Sequence, residues 1–152
     1  MNGLVANRCI EVKNSDVVIG ITASGRTPFV LGALARAKSL GAKTILLTCN
    51  PSVAGATDLV IALAVGPEVV TGSTRLKAGT ATKIALNIVS TGAMVALGRV
   101  RGNLMIDLQT TSAKLRDRAV RVVANLAQCD YDSARRQLEA ADWNLRSIVE
   151  KL

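Results

Sequence analysis

Two short apolar segments separated by a stretch of helix length constrain the fold more than any other feature of this chain. Residues 16–21 and 43–48 are rich in β-branched and aliphatic side chains, as buried strands are. Between them, apolar residues recur every three or four positions over residues 29–40, which predicts a helix. A strand, a helix and a strand in this order predict a βαβ unit with a parallel sheet. Residues 58–63 predict a third strand.

Residues typical of helix ends lie on either side of the first predicted helix. Thr27 is a candidate N-cap with Pro28 at the first helical position, and Gly41 is a candidate C-cap. A longer helix is predicted over residues 76–97. Its inner part, residues 84–89, is apolar nearly all round, so we expect it to be buried.

The character of the chain changes after residue 110. Residues 103–107 predict a last short strand, and helical patterns follow over residues 112–127, 132–140 and 144–151. Asp130 and Asp142 are candidate caps for the last two helices. We therefore expect an α/β domain over residues 1–110, with a parallel sheet flanked by helices in three layers. A helical appendage is expected over residues 111–152.

Composition excludes several function classes. The chain has no histidine, which removes a Ser-His-Asp triad, a His-bearing zinc site and a histidine general base. Its three cysteines, Cys9, Cys49 and Cys129, are far apart, so we interpret them as packing residues in a reducing compartment. No leader and no apolar run of membrane-spanning length is apparent, which predicts a cytoplasmic protein without a membrane partner.

The net charge of +8 raises the question of nucleic acid binding. With one Trp, one Tyr and one Phe, the chain cannot build a platform for base stacking. The densest basic stretch, residues 114–121, has helical spacing and is interpreted as a solvated helix face. We expect no nucleic acid partner, although a small anion such as a phosphate ester suits a basic surface.

The first candidate site is the loop between the first strand and the first helix. Backbone N–H groups at the start of a helix favour an anion, and open parallel sheets bind ligands at this edge. Thr22, Ser24 and Thr27 supply hydroxyl groups, and Gly25 allows close approach of the backbone beside Arg26. An ordinary capped turn is the alternative. The loop matches neither the dinucleotide-binding fingerprint nor the P-loop.

A second loop of similar composition opens the long helix. It contains Ser73, Thr74 and Lys77, and the alternative is again a capped helix with solvated cations. Glu68 lies between the two loops and is a weak candidate for a general acid or base. Its alternative role is an ion pair with a neighbouring Arg or Lys.

Six motifs, taken in order, resemble those of the N-acetylmuramic acid 6-phosphate etherases, of which the glucokinase regulatory proteins are more distant relatives. The motifs are GITASGRTP (20–28), CNP (49–51), VGPE (65–68), GSTR (72–75) with KAGT (77–80), STGAM (90–94) and GNLM (102–105). Both families carry the sugar isomerase (SIS) fold. The resemblance implies a lyase that converts N-acetylmuramic acid 6-phosphate to N-acetylglucosamine 6-phosphate and D-lactate during cell-wall sugar recycling. It implies elimination followed by water addition, run by carboxylates without a metal or cofactor, in a dimer.

The resemblance also implies roles for individual residues. One group would lie at the sugar-phosphate pocket: Thr22, Ser24, Gly25, Arg26 and Thr27. A second group, Ser73, Thr74 and Lys77, would lie near the other wall. The helical tail resembles the family's ubiquitin-associated-like module.

The chain resembles only the C-terminal half of such an etherase. In the family, the first strands, another phosphate loop and the principal catalytic glutamates precede the equivalent of Asp16. The fifteen residues in that place here do not supply those motifs, so the catalytic residues are unknown. An apolar strand left at a sheet edge predicts a homodimer or a partner chain that carries the missing half. The alternatives are a non-catalytic phosphosugar-binding sensor or regulatory module, and a gene fragment without function.

Overall fold

The structure is a computed structural model that describes residues 11–53 and 55–152, so Cys9 and the N-terminal segment examined for a leader lie outside it. The chain forms two compact units, the first ending at Ile88 and the second running Val89–Leu152. Among the described residues, no helix is both long and apolar enough to cross a membrane. The division at residue 110 into a sheet domain and a helical appendage stays a prediction.

A parallel sheet forms the centre of the first unit. Its strands are β1 (Val17–Thr22), β2 (Lys43–Thr48) and β3 (Leu59–Ala62), hydrogen-bonded in the order β1-β2-β3. Helix α1 (Pro28–Ser39) connects β1 to β2. All four elements lie within one residue of the sequence-predicted bounds, and the predicted parallel α/β arrangement is confirmed.

Helix α1 ends in a Schellman motif, with its C-cap one residue earlier than the sequence suggested. Leu40 is the C-cap, and Gly41 follows it with φ +86°, a conformation that glycine adopts without strain. The Gly41 N–H donates to the Lys38 carbonyl at 3.0 Å, and the Ala42 N–H donates to the Ala37 carbonyl at 3.2 Å. The helix therefore stops abruptly and returns the chain directly to β2.

Close packing fixes α1 against one face of the sheet. A Cβ atom added to Gly20 would lie 2.5 Å from Leu34 Cδ1 and 2.7 Å from Val30 Cγ1. Leu34 is itself buried. The missing side chain at residue 20 therefore sets how closely the helix approaches β1.

A partly buried polar contact joins the residue before β3 to β2. Both the backbone N–H and the hydroxyl of Thr44 donate to Asp58 Oδ2 at 2.8 Å, and Lys38 Nζ lies 3.4 Å from Asp58 Oδ1. These contacts, with the Thr44 hydroxyl bond the strongest, lower the pKa of Asp58 to about 2. The contribution to stability is complete above pH 3.8, the carboxyl's ordinary pKa, and is lost as the pH falls towards 2.

The predicted burial of residues 84–89 is wrong. Helix α2 runs Lys77–Ala96, but only its first turn is anchored: Ala78 is buried, whereas Ile84 is 52% exposed and Ile88 is 68% exposed. On β1, Val17 is 58% exposed. An all-round apolar helix is normally covered by protein. The described residues therefore leave a substantial apolar surface open.

After α2 the chain forms a short hairpin, and the strand predicted over residues 103–107 is its second arm. Strands β4 (Val100–Arg101) and β5 (Leu104–Met105) pair antiparallel. Arg101 Nη1 donates to the Val149 carbonyl at 2.7 Å, which ties the hairpin to the last helix. Strand β5 lies within the predicted strand over residues 103–107, and residues 102 and 103 form the turn that joins it to β4.

Three helices complete the second unit, near the predicted positions: α3 (Ala113–Ala127), α4 (Tyr131–Ala140) and α5 (Leu145–Val149). Side chains of Ser112, Asp130 and Asn144 accept N–H bonds at their starts. Asp142 is not the cap of α5, because it has φ +48° and lies two residues too early. Aliphatic side chains dominate the buried core, which comprises Ile106, Ala119, Val120, Val122, Val123, Ala134, Leu138, Leu145, Ile148 and Val149.

The packing at residue 20 gives a stability prediction. We expect Gly20→Ala to lower the free energy of unfolding by about 1–3 kcal/mol, the usual cost of overpacking a core. Gly92→Ala is the matched control, because an added Cβ there meets nothing within 4 Å. In a helix, that change is expected to be neutral or to stabilise by up to about 1 kcal/mol. Urea unfolding followed by circular dichroism measures both, and equal stabilities would contradict the packing argument.

Candidate functional site

The first predicted loop forms a cluster of hydroxyl groups at the carboxyl end of β1. Thr22 Oγ1 lies 2.8 Å from Thr27 Oγ1 and 3.3 Å from Ser24 Oγ, and the Arg26 N–H donates to Ser24 Oγ at 3.2 Å. Thr27 is the N-cap residue of α1, as predicted, but its side chain bonds Thr22 and makes no cap hydrogen bond. The first turn of α1 contains no acidic residue. The positive end of the helix dipole therefore faces this hydroxyl cluster without a local carboxylate.

Glycine is required within this loop. Gly25 has φ +70°, and its N–H closes a turn by donating to the Thr22 carbonyl at 3.1 Å. An added Cβ would lie 2.5 Å from Val53 Cγ2 and 3.0 Å from Thr48 Oγ1. Any larger residue would strain the backbone and displace the neighbouring loop.

Residues that follow β2 hold the first loop in place. Thr48 Oγ1 and the Cys49 N–H both donate to the Ala23 carbonyl, at 3.2 and 3.1 Å. Asn50 Nδ2 donates to the Ser24 carbonyl at 3.1 Å. Sequence reasoning did not assign these residues to the site. The available signal was topological, since neighbouring parallel strands end at the same sheet edge.

Glu68 binds the start of α2 through both carboxylate oxygens. The Lys77 N–H donates to Oε2 at 2.9 Å, and the Ala78 N–H donates to Oε1 at 3.0 Å. The Ala78 bond, followed by the Lys77 bond, lowers the pKa of Glu68 from its ordinary value of 4.5. Glu68 thus satisfies two of the N–H groups that a helix leaves unpaired at its start.

A cavity of about 180 Å³ brings the two predicted loops together. It is lined by Ala23, Ser24, Cys49, Val65, Gly66, Glu68, Thr74 and Ala78. Three predicted site residues, Ser24, Glu68 and Thr74, thus meet at one cavity. The other predicted residues flank it without lining it: Thr22, Gly25, Arg26, Thr27, Ser73 and Lys77.

A larger cavity also borders Gly25 but is chemically different. Its volume is about 330 Å³, and aliphatic side chains such as Leu31, Leu34 and Val53 dominate its lining. Such a surface offers few hydrogen-bond donors for a phosphate group. The smaller cavity is also largely apolar, but it carries a hydroxyl on each loop and a carboxylate on its wall.

The sequence matches the family model of the SIS domain over residues 2–92. The chain therefore belongs to the SIS domain family. Within it, the chain is 49% identical over 149 residues to an N-acetylmuramic acid 6-phosphate etherase of Symbiobacterium thermophilum, covering 97% of this chain and 50% of the relative. Identity to the Bacillus subtilis etherase is 46% over 147 residues, covering 95% of this chain and 48% of the relative.

A third etherase, from Pectobacterium atrosepticum, is 46% identical over 144 residues and is covered to 48% of its length. The chain thus spans about half the length of the curated relatives it matches. The resemblance carried by the six motifs is confirmed, as a partial match.

Proposed function

We propose that this chain is the phosphosugar-binding part of an N-acetylmuramic acid 6-phosphate etherase. The observation that carries the proposal is the meeting of Ser24 and Thr74 at one cavity, on loops that start two helices. The etherase relatives, with 46–49% identity, supply the substrate class. In this proposal the protein works in the cytoplasm, in the recycling of cell-wall sugars.

The first loop is assigned to the phosphate group. Ser24 and Thr27 place exposed hydroxyl groups there, each within hydrogen-bond distance of the buried Thr22 hydroxyl, and the adjacent start of α1 favours negative charge. The second loop, with Ser73, Thr74 and Lys77, is assigned to the wall that faces the sugar. Arg26 and Lys77 add positive charge on either side, as an anionic ligand requires.

The chain by itself is proposed to be incomplete for catalysis. Among the described residues lining the 180 Å³ cavity, Glu68 is the one carboxylate, and both its oxygens accept backbone N–H bonds. An elimination reaction needs a base whose lone pair reaches the substrate proton. The further carboxylates would come from the half of the relatives that this chain does not match.

A non-catalytic sensor or regulatory module is the second candidate function. The same engagement of Glu68 favours it, because a cavity can bind a sugar phosphate without a free acid or base. The helices of the second unit would then form an interaction module that is similar to a ubiquitin-associated module.

Calorimetric titration with N-acetylglucosamine 6-phosphate and N-acetylmuramic acid 6-phosphate, followed by a D-lactate assay, tests the proposed function. We expect binding of both compounds without release of lactate. Absence of binding would refute the assignment of the cavity. Release of lactate would refute the proposed incompleteness and show that carboxylates in this chain suffice.

A negative charge introduced at the first loop tests the phosphate assignment. We expect Ser24→Glu to abolish binding of N-acetylglucosamine 6-phosphate, because it places a carboxylate where the phosphate binds. Ser39→Glu makes the same change at the other end of α1 and should retain the wild-type affinity. Circular dichroism verifies that both variants fold. Binding by Ser24→Glu at wild-type affinity would mean that the loop is only a turn.

The open side of β1 predicts association. Among the described strands, β1 pairs with β2 alone, and Val17 and Ile21 are 58% and 42% exposed. We expect a dimer, or a complex with a chain that carries the half of the relatives not matched here, in size-exclusion chromatography at low concentration. Val17→Lys should favour the monomer, whereas Val69→Lys, at a loop position 87% exposed, should not. A monomeric wild-type chain would contradict this prediction.

A further inference from the structure

The environment of Glu68 differs from that of a group free to exchange protons with a ligand. Its two oxygens bind the N–H groups of consecutive residues, Lys77 and Ala78, at 2.9 and 3.0 Å. These are the first two residues of α2, and Ala78 is the buried residue that anchors the helix. The carboxylate therefore holds the start of a helix that begins nine residues later in the sequence.

This arrangement is poorly suited to acid–base chemistry. A carboxylate that accepts two hydrogen bonds is a weaker base, and its lowered pKa leaves it almost fully ionised at neutral pH, so it is a poor acid. Lys77 is the charged neighbour that acts in the same direction. Cys49, from the segment after β2, lines the same cavity.

We propose that Glu68 is a positioning residue that fixes the first turn of α2, and with it Thr74 and Ala78, at the wall of the phosphosugar cavity. Thr74 lies three residues before the helix, and both it and Ala78 line the cavity. Displacing the helix start would move this wall relative to Ser24. The part of this inference that concerns ligand binding rests on the proposed function.

Because of this contact, the starts of α1 and α2 differ in whether they can accept an anionic ligand. At α2, an internal carboxylate already occupies the anion-favouring end of the helix. At α1, the first turn contains no acid, and the Thr27 side chain makes no cap bond. An incoming phosphate is thus directed to the first loop, and the sugar to the second.

Nuclear magnetic resonance tests the contact on the wild-type chain without any ligand. The amide protons of Lys77 and Ala78 should titrate together, with a midpoint below 4.5, the ordinary pKa of glutamate. The contact is complete above pH 4.5 and is lost as the pH falls through the lowered value. In Glu68→Gln this titration should disappear. Amides that do not respond, or a midpoint at or above 4.5, would overturn the inference.

Ligand affinity tests the positioning role. We expect Glu68→Ala to weaken binding of N-acetylglucosamine 6-phosphate by roughly tenfold, the scale of a lost charge-assisted hydrogen bond. The affinity of Glu68→Gln should lie between those of Glu68→Ala and wild type. Its side-chain amide keeps one acceptor for an N–H group but places an NH₂ donor against the second N–H group. Glu139→Gln, which removes a carboxylate paired with Arg135 on α4, is the matched control and should bind normally.

The two proposals fail in different ways. If the wild-type chain binds no sugar phosphate but the two amides titrate as expected, the proposed function fails and the contact of Glu68 stands. If wild type and Glu68→Gln bind equally well, the positioning role is overturned. Equal binding together with loss of a lactate-releasing activity in Glu68→Gln would instead assign Glu68 to catalysis.

Discussion

The parallel pairing of β1 with β2 is the contact on which the site depends. Its register sets Thr22 opposite Thr48, so both strands end at the same level. Thr48 can therefore donate to the Ala23 carbonyl, and Asn50 to the Ser24 carbonyl. A shift of one residue in this pairing would reverse the faces of the side chains and separate the hydroxyl groups of the loop from their support.

Two helices begin beside this sheet edge, and their starts are treated differently. At α1, the Thr22–Thr27 hydroxyl contact leaves the helix without a side-chain cap. At α2, Glu68 accepts the first two N–H groups. The two helix starts have similar local polarity, yet one remains available to an anion and the other is closed by the protein's own carboxylate.

The apolar surface left open on β1 and α2 has the opposite character to the site. Val17 and Ile88 are 58% and 68% exposed, although their segments read as buried elements. A strand edge and an apolar helix of this kind are normally covered by further protein. The etherase relatives are about twice as long, and the part of them that this chain does not match is the proposed source of both the covering protein and further carboxylates.

The sequence by itself determined the local elements and the chemistry of the loops. Apolar periodicity located β1, α1, β2 and β3 to within one residue, since burial on a strand or helix repeats at a fixed spacing. Apolar periodicity could not determine whether residues 84–89 are buried. It shows which face of a helix is suited to burial, but it does not show whether other protein covers that face. Only the tertiary structure decided that Glu68 bonds the start of α2 and that Asn50 supports Ser24. Those contacts join residues 9 or more positions apart, and their geometry follows from the packed chain.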